Sequence, residues 1–287
     1  MRELASPHWS LLLLLLLFSR AVLAEDLILS SPPRETPAAG VQLYSPLANY
    51  LSLVLGKKVR YQYPQNWLRY QRSIKNNEYD IVFDGPHFAS WRIKHFHHTP
   101  VAKLPGSLQF FFVTKADNKS IIAPSDLAAK KVCSIPPPNL NSLMLLARLD
   151  GPAREPILKG VRGGMKKVYQ ALINDECVAA VLRTSYFRKK LSQEQQAGLR
   201  IIYTSEQVPN QVITVSDRVS QPDIDKIRQA LFSDQGIKVT EKIVKRFAGK
   251  KTRIFVAVKV GEYDGYSSLL EGVILGWRRN DFLNNIE

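Results

Sequence analysis

The stretch that decides the fold is Asn77–Phe88, N-E-Y-D-I-V-F-D-G-P-H-F. Tyr79 to Phe83 is short and nearly all apolar, the composition of a strand in a sheet covered on both faces. It runs directly into Asp84-Gly85-Pro86-His87, and Pro86 can open a helix because its missing N–H costs nothing in a first turn. A strand that ends on glycine and turns into a helix leaves unpaired backbone N–H groups at the turn. Such a tip can receive an anion, or it can be a plain turn. The segments around it decide which.

Before it, Asp26–Ser30 reads as a strand. Gly40–Leu55 reads as a helix, with Val41, Tyr44, Leu47, Leu51 and Leu55 at three- and four-residue steps and Gly56 at the position of a C′ glycine. Lys58–Tyr63 alternates as a strand, and Trp67, Tyr70 and Ile74 mark a second helix. After it, Pro86–Lys94 is helical and Ser107–Thr114 is one longer strand. The pattern then starts again. A short helix opens at Ser125-Asp126. Lys131–Ile135, Pro156–Val161 and Cys177–Leu182 read as strands, separated by helices over Leu140–Leu149 and Met165–Ile173, with another over Thr184–Leu191. Arg200–Thr204 and Gln211–Val215 are strands, a helix starts at Ser220-Gln221-Pro222-Asp223, and helical periodicity continues to Trp277.

Strand–helix alternation run through twice predicts an α/β protein of two lobes, each a mostly parallel sheet flanked by helices. The chain would cross at 107–114 and return at 203–212, giving a first lobe of 25–112 and 206–287 and a second of 113–205. Ligands of such sheets bind beyond the carboxyl ends of the strands. Those ends are Ser30-Ser31-Pro32, Asp84-Gly85-Pro86 and Ser134–Asn139, so Asp84-Gly85-Pro86-His87 would line an interlobe cleft.

The first 24 residues lie outside this pattern. Leu11–Phe18 is apolar, and Val22 and Ala24 occupy the −3 and −1 places of a small-residue cleavage site. This is the layout of a secretory signal peptide cut after Ala24, with an uncleaved anchor as the alternative. The formal charge of the chain is +15, and +14 without Arg2, Arg20 and Glu3. Export, and the lack of a clustered basic stripe, argue against nucleic acid and for a solvated basic surface that steers anions. Cys133 and Cys177 are the two cysteines; in an exported chain they read as a disulfide, or as two buried thiols.

Three segments carry a family likeness: Y-S-P-L-A-N-Y-L-S-L-V-L-G-K-K-V from Tyr44, E-Y-D-I-V-F-D-G-P-H-F-A from Glu78 and S-D-L-A-A-K-K-V from Ser125. In this order and spacing the chain resembles the phosphate/phosphonate-type periplasmic solute-binding proteins of ABC transporters. The resemblance implies a two-lobed, type II Venus-flytrap fold and a monomeric periplasmic protein that closes on a small solute. The partner it implies is an ABC permease or, in some relatives, a membrane sensor. One segment departs from the pattern. Where the family has a hydroxyl-rich turn, this chain has S-I-P-P-P-N-L-N-S-L from Ser134, whose prolines supply no N–H donors; Met165 follows Gly163-Gly164 where the family has a histidine.

The candidate ligand residues are Ser31, Arg34, Tyr44, Asp84, Gly85, Pro86, His87, Asn139, Asn141 and Ser142. Several have a structural alternative: a solvated loop for Arg34, the core for Tyr44, a helix cap for Asp84, a surface cap for His87. Gly163-Gly164 is an oxyanion cradle or a plain turn. His87, His95, His97 and His98 cluster in sequence, but two adjacent histidines seldom point to one centre, so no metal site is expected. Nucleophile-elbow, zincin and P-loop motifs are missing, so neither a catalytic residue nor a cofactor is expected. The function expected is a binding protein for a small polar, anionic solute. The alternative is a sensor or accessory module for a membrane-bound kinase or redox system.

Overall fold

The computed structural model describes residues 26–149, 151, 153–249, 254–272 and 276–277. The expected signal segment and its cleavage site lie outside these residues.

Two five-stranded sheets organise the chain. The first is built from β1 (Leu27–Ser30), β2 (Val59–Gln62), β3 (Ile81–Asp84), β4 (Thr99–Lys103) and a late strand, Val212–Val215. The helices α1 (Pro37–Leu55), α2 (Trp67–Lys75) and α3 (Pro86–Phe96) connect the early strands. The chain then passes through β5 (Ser107–Leu108) into β6 (Phe110–Lys115) of the second sheet. That sheet continues with β7 (Lys131–Ser134), α4 (Leu140–Arg148), β8 (Ile157–Gly160), α5 (Met165–Ile173), β9 (Ala179–Arg183), α6 (Thr184–Lys190), α7 (Gln193–Ala197) and β10 (Leu199–Thr204). The return passage is β11 (Val208–Pro209), which leads into β12, the late strand Val212–Val215. Helices α8 (Gln221–Phe232), α9 (Asp234–Ala248) and α10 (Ser268–Glu271) follow.

The strand orders are β2-β1-β3-β12-β4 and β10-β6-β9-β7-β8. In each sheet two adjacent pairs are parallel and two antiparallel, because the strand delivered by the crossover, β12 in one sheet and β6 in the other, runs against its neighbours. The two passages pair with each other as the antiparallel ribbon β5–β11, with Val208 opposite Leu108 and Pro209 opposite Ser107. A two-stranded ribbon joining two sheets is a hinge.

Apolar alternation sets the layers. Ile81, Val82 and Phe83 are all buried because α1, α8 and α9 cover one face of the first sheet while α2 and α3 cover the other. α1 starts at Pro37, three residues before its expected start, since Thr36 supplies the cap; Gly56 ends it in the left-handed region at φ 63°, where a side chain would be strained. The single strand expected over 107–114 is broken at Gln109, where the chain leaves the hinge ribbon for the second sheet. α7 carries no buried residue, so it offered no apolar periodicity; its only sequence mark is the Ser192/Gln195 capping box.

Helical periodicity does not run to Trp277. Residues 254–267 are extended or turning, and Val256 bridges to Lys103 at the sheet edge. The C-terminal segment also does more than cover the first lobe, because α10 packs against both α3 and α4. Leu143 of α4 is buried in one apolar cluster with Phe88, Trp91, Leu270 and Trp277. The two lobes therefore share a dry seam as well as a hinge. In the second lobe, Cys133 and Cys177 form a disulfide with Cα atoms 5.7 Å apart.

Candidate functional site

The carboxyl ends of β1, β2 and β3 meet the start of α4 at the junction of the lobes. Ser31, just past β1, is fully buried, and its hydroxyl lies 3.0 Å from the Tyr61 hydroxyl. The parallel register places Leu29 opposite Tyr61 and Ser30 opposite Gln62, which brings the two side chains together. Tyr44, from α1, stacks on Tyr61 with ring centroids 5.0 Å apart. Tyr44 belongs to the core cluster, the structural role its periodicity allowed. Burial pushes the Tyr61 phenol up to about 12, with the Ser31 hydroxyl opposing; burial and the nearby Glu35 charge hold the Tyr44 phenol higher still. Both therefore remain neutral hydrogen-bond donors at neutral pH.

At the end of β3 the structure separates roles that the sequence left open. Asp84 does not cap α3; the N-cap is Gly85, with no side-chain cap bond. The Asp84 carboxylate turns inward instead. It accepts from Arg92 at 2.7 and 2.8 Å and from the Tyr70 hydroxyl at 2.5 Å. Asp84 and Arg92 are both essentially unexposed. Its oxygens are thus committed inside the protein, and it is removed from the ligand set. Desolvation of both charges is offset here by bidentate geometry and a third donor.

Gly85 and Pro86 turn the chain. A side chain at Gly85 would come within 2.8 Å of His87 Cε1 and 3.1 Å of its Nδ1, with Arg34 Nη2 at 3.8 Å. Glycine is thus needed for close approach rather than for φ, which is −77°. His87 is not a surface cap: it is 1% exposed. Its Nε2 lies 3.1 Å from the Pro138 carbonyl, a contact that joins the first lobe to the second. A carbonyl only accepts, so Nε2 carries the proton and Nδ1 is left with a bare lone pair. Nδ1 is buried without a partner. Burial first, then the Arg34 charge, lowers the imidazole to about 3, so it is neutral. Arg34 is half-buried in the loop after β1, and no carboxylate among the described residues pairs with it.

From the second lobe, Asn141 is fully buried. Its Oδ1 accepts from the Ser142 amide at 3.0 Å, while Nδ2 has no partner. Asn139 is the N-cap of α4 but makes no side-chain cap bond. Ser142 is spent: its hydroxyl donates to the Ile135 carbonyl and lies 3.3 Å from Ser134 Oγ. The structure thus places Ser31 and Tyr44 against Tyr61, Arg34 and His87 beside Gly85, and Asn139 and Asn141 at the start of α4 just past the Pro138 carbonyl that His87 meets, and it engages Asp84 and Ser142 internally. Sequence reading missed Tyr61 and the Pro138 carbonyl. The signal for Tyr61 was available, a tyrosine at the carboxyl end of a strand neighbouring Ser31; a main-chain acceptor leaves none.

The other histidines diverge. His95 faces Glu271 at 2.5 Å, His97 is the exposed left-handed C-cap of α3, and His98 is buried between Asn77 and Thr214. A cavity of about 460 Å³ lies elsewhere, between Thr99–Val101, Phe232 and residues 257–264 on the first lobe; its lining is mostly apolar, so it does not compete with the junction for a polar solute.

Two α/β lobes, a two-stranded hinge and unpartnered polar groups buried where strand ends meet define a solute-binding protein of the type II periplasmic class. The chain belongs to the family of periplasmic phosphonate substrate-binding proteins of ABC transporters, whose family model matches residues 29–263. It is therefore an extracytoplasmic solute-binding protein rather than an enzyme. No curated protein sequence matches it. Solved structures share the fold at low identity. XAC2383 from Xanthomonas citri, bound to chloride ion, has a TM-score of 0.67 at 13% identity, covering 86% of this chain and 98% of that one. PhnD1 from Prochlorococcus marinus, in complex with methylphosphonate, has a TM-score of 0.59 at 11% identity over 85% and 96%. A phosphonate-transporter binding protein, PA3383 from Pseudomonas aeruginosa, has 0.55 at 14% over 83% of each.

Proposed function

We propose that the protein is exported to the periplasm with cleavage after Ala24 and acts there as a monomer. It closes on a small anionic solute, phosphate- or phosphonate-like, and presents it to the permease of an ABC transporter. Its lobes correspond to 25–112 with 206–287, and to 113–205. Arg34 supplies positive charge. Ser31, Tyr61 and Tyr44 offer hydroxyls beside it. Asn139 and Asn141 offer amides from the opposite lobe, and Gly85 leaves room for the His87 ring to reach it. Groups from both lobes touch the solute together only when the cleft is shut, so binding favours the closed form by its differential affinity.

One observation carries this reading: two polar atoms at the lobe junction, His87 Nδ1 and Asn141 Nδ2, are buried without partners among the described residues, the first of them near Arg34. An unmade buried hydrogen bond costs about 1–3 kcal/mol, and a bound solute relieves that cost.

Calorimetric titration of the mature protein with phosphate, phosphite, methylphosphonate and sulfate tests it. Saturable binding by at least one is expected, with no turnover. A ligand at a hundred times its dissociation constant stabilises the fold by about 2.7 kcal/mol. No binding by any would overturn the proposal. A second reading, a sensor or accessory module for a membrane kinase or redox system, is favoured by the Pro136–Pro138 run, which lacks N–H donors. Under that reading the titrations are silent and the protein binds the membrane partner regardless of solute.

A further inference from the structure

We propose that His87 selects the protonation state of the solute, accepting a hydrogen bond at Nδ1 from a hydroxyl on the anion, so that the site takes a singly protonated tetrahedral oxyanion. The inference rests on the solute-binding reading above and specifies its ligand.

The other ring nitrogen sets the tautomer. The Pro138 carbonyl, 3.1 Å from Nε2, cannot donate, so it fixes the proton on Nε2. Nδ1 is thereby an acceptor and nothing else. It is buried and unpartnered. The imidazole packs directly over Gly85, and Arg34 borders the same glycine: a Cβ built there would lie 3.1 Å from Nδ1 and 3.8 Å from Arg34 Nη2. A cation and a fixed lone pair beside one glycine make complementary demands: negative charge on one ligand atom and a donated proton on another. A singly protonated phosphoryl group meets both. A fully ionised oxyanion meets the first and sets a lone pair against a lone pair at the second.

The neighbouring charges do not relax the requirement. Arg34 comes from the loop after β1. Arg92, two turns along α3, is neutralised by Asp84. Burial and these cations keep His87 from becoming a donor by protonation, holding it near 3. An acceptor of this kind discriminates by leaving a buried group unpaired, the most selective way a site rejects an analogue that lacks one proton.

The test uses two isosteres of equal charge, methylphosphonate, which keeps one P–OH in mildly acidic solution, and methanesulfonate, which has none. Both are titrated calorimetrically into the mature protein at about pH 5.5, just below the second ionisation of phosphoryl groups. Methylphosphonate is expected to bind at least about tenfold more tightly. In His87→Leu, checked for folding by its melting transition, the ratio is expected to fall toward one. Raising the pH is expected to weaken methylphosphonate binding in the wild type, as the ligand loses its last proton. Equal wild-type affinity for the two isosteres, or a ratio that survives in His87→Leu, overturns the inference while leaving solute binding intact. If the variant does not fold, the wild-type ratio decides alone. If neither anion binds, the solute-binding reading fails and the inference fails with it.

Discussion

Asp84 and His87 stand three positions apart on one turn and have opposite fates. Asp84 turns in to a guanidinium and a phenol; His87 reaches across to a carbonyl and keeps one nitrogen bare. Nothing local in D-G-P-H separates these outcomes, because Arg92 and Tyr70 lie eight and fourteen positions away and Pro138 belongs to the other lobe. The sequence showed that a polar turn sits at a strand end; long-range partners settled what each side chain does there. Two predictions belong at this scale. Arg92→Met leaves the Asp84 carboxylate buried without its counter-charge, with only the Tyr70 hydroxyl still donating to it, and is expected to cost about 3–5 kcal/mol in denaturant unfolding; a loss under about 1 kcal/mol, the worth of an exposed pair, would show that the pair is solvated. The second concerns acid. Burial, followed by nearby arginines, depresses His87 to about 3 and His98 well below its usual value. Both titrate near 6.5 when unfolded, so unfolding takes up protons below that pH. Their contribution is present above about 6.5 and is lost as pH falls, by up to about 1.4 kcal/mol per pH unit for each histidine. Stability measured from about pH 6.5 down to 5 should decline with that slope, and His87→Leu should remove one proton's share; a flat profile would show that the imidazoles are solvated or already charged.

At the scale of elements, β7 and β9 are parallel neighbours in the second sheet, with Cys133 opposite Ala180. The disulfide from Cys133 to Cys177, at the entry to β9, closes a loop of 44 residues. Chain-entropy reasoning makes a loop of this length worth about 4 kcal/mol, and measured values commonly fall lower. Reduction, or paired Cys→Ala substitution, is thus expected to lower unfolding free energy by about 2–4 kcal/mol with ligand affinity little changed, because the bond lies outside the junction. No loss would indicate that the sheet pairing alone fixes these strands. Most elements were legible in the sequence, since α1, α2 and α5 bury residues at helical steps and β3 is apolar throughout. The failures have definite causes. α7 buries nothing. The continuous S-L-Q-F-F-F-V-T pattern hides the switch at Gln109 from ribbon to sheet, because both pieces suit extended backbone. The stretch 254–267 has apolar residues at helix-like intervals, yet Val256 pairs with the β4 edge and Tyr263 donates to the Asn210 carbonyl at 2.6 Å, contacts that no local periodicity encodes.

For the whole molecule, two lobes and a cleft were readable from the doubled strand–helix pattern, whereas the dry seam through Leu143 and Trp277 was not. The seam matters for function. Ser31, His87 and Asn141 are each at most 1% exposed, so a solute reaches them only if the lobes part. The hinge ribbon permits that motion, and the seam sets its cost: burying Leu143 alone is worth about 1.5–3 kcal/mol, a sum that solute contacts must be weighed against. The central claim is closure around a solute at this junction. Small-angle X-ray scattering of the mature protein, with and without a saturating anion already shown by calorimetry to bind, tests it most directly. The account predicts a smaller radius of gyration in the bound state. Superimposable scattering curves under verified saturation would contradict it.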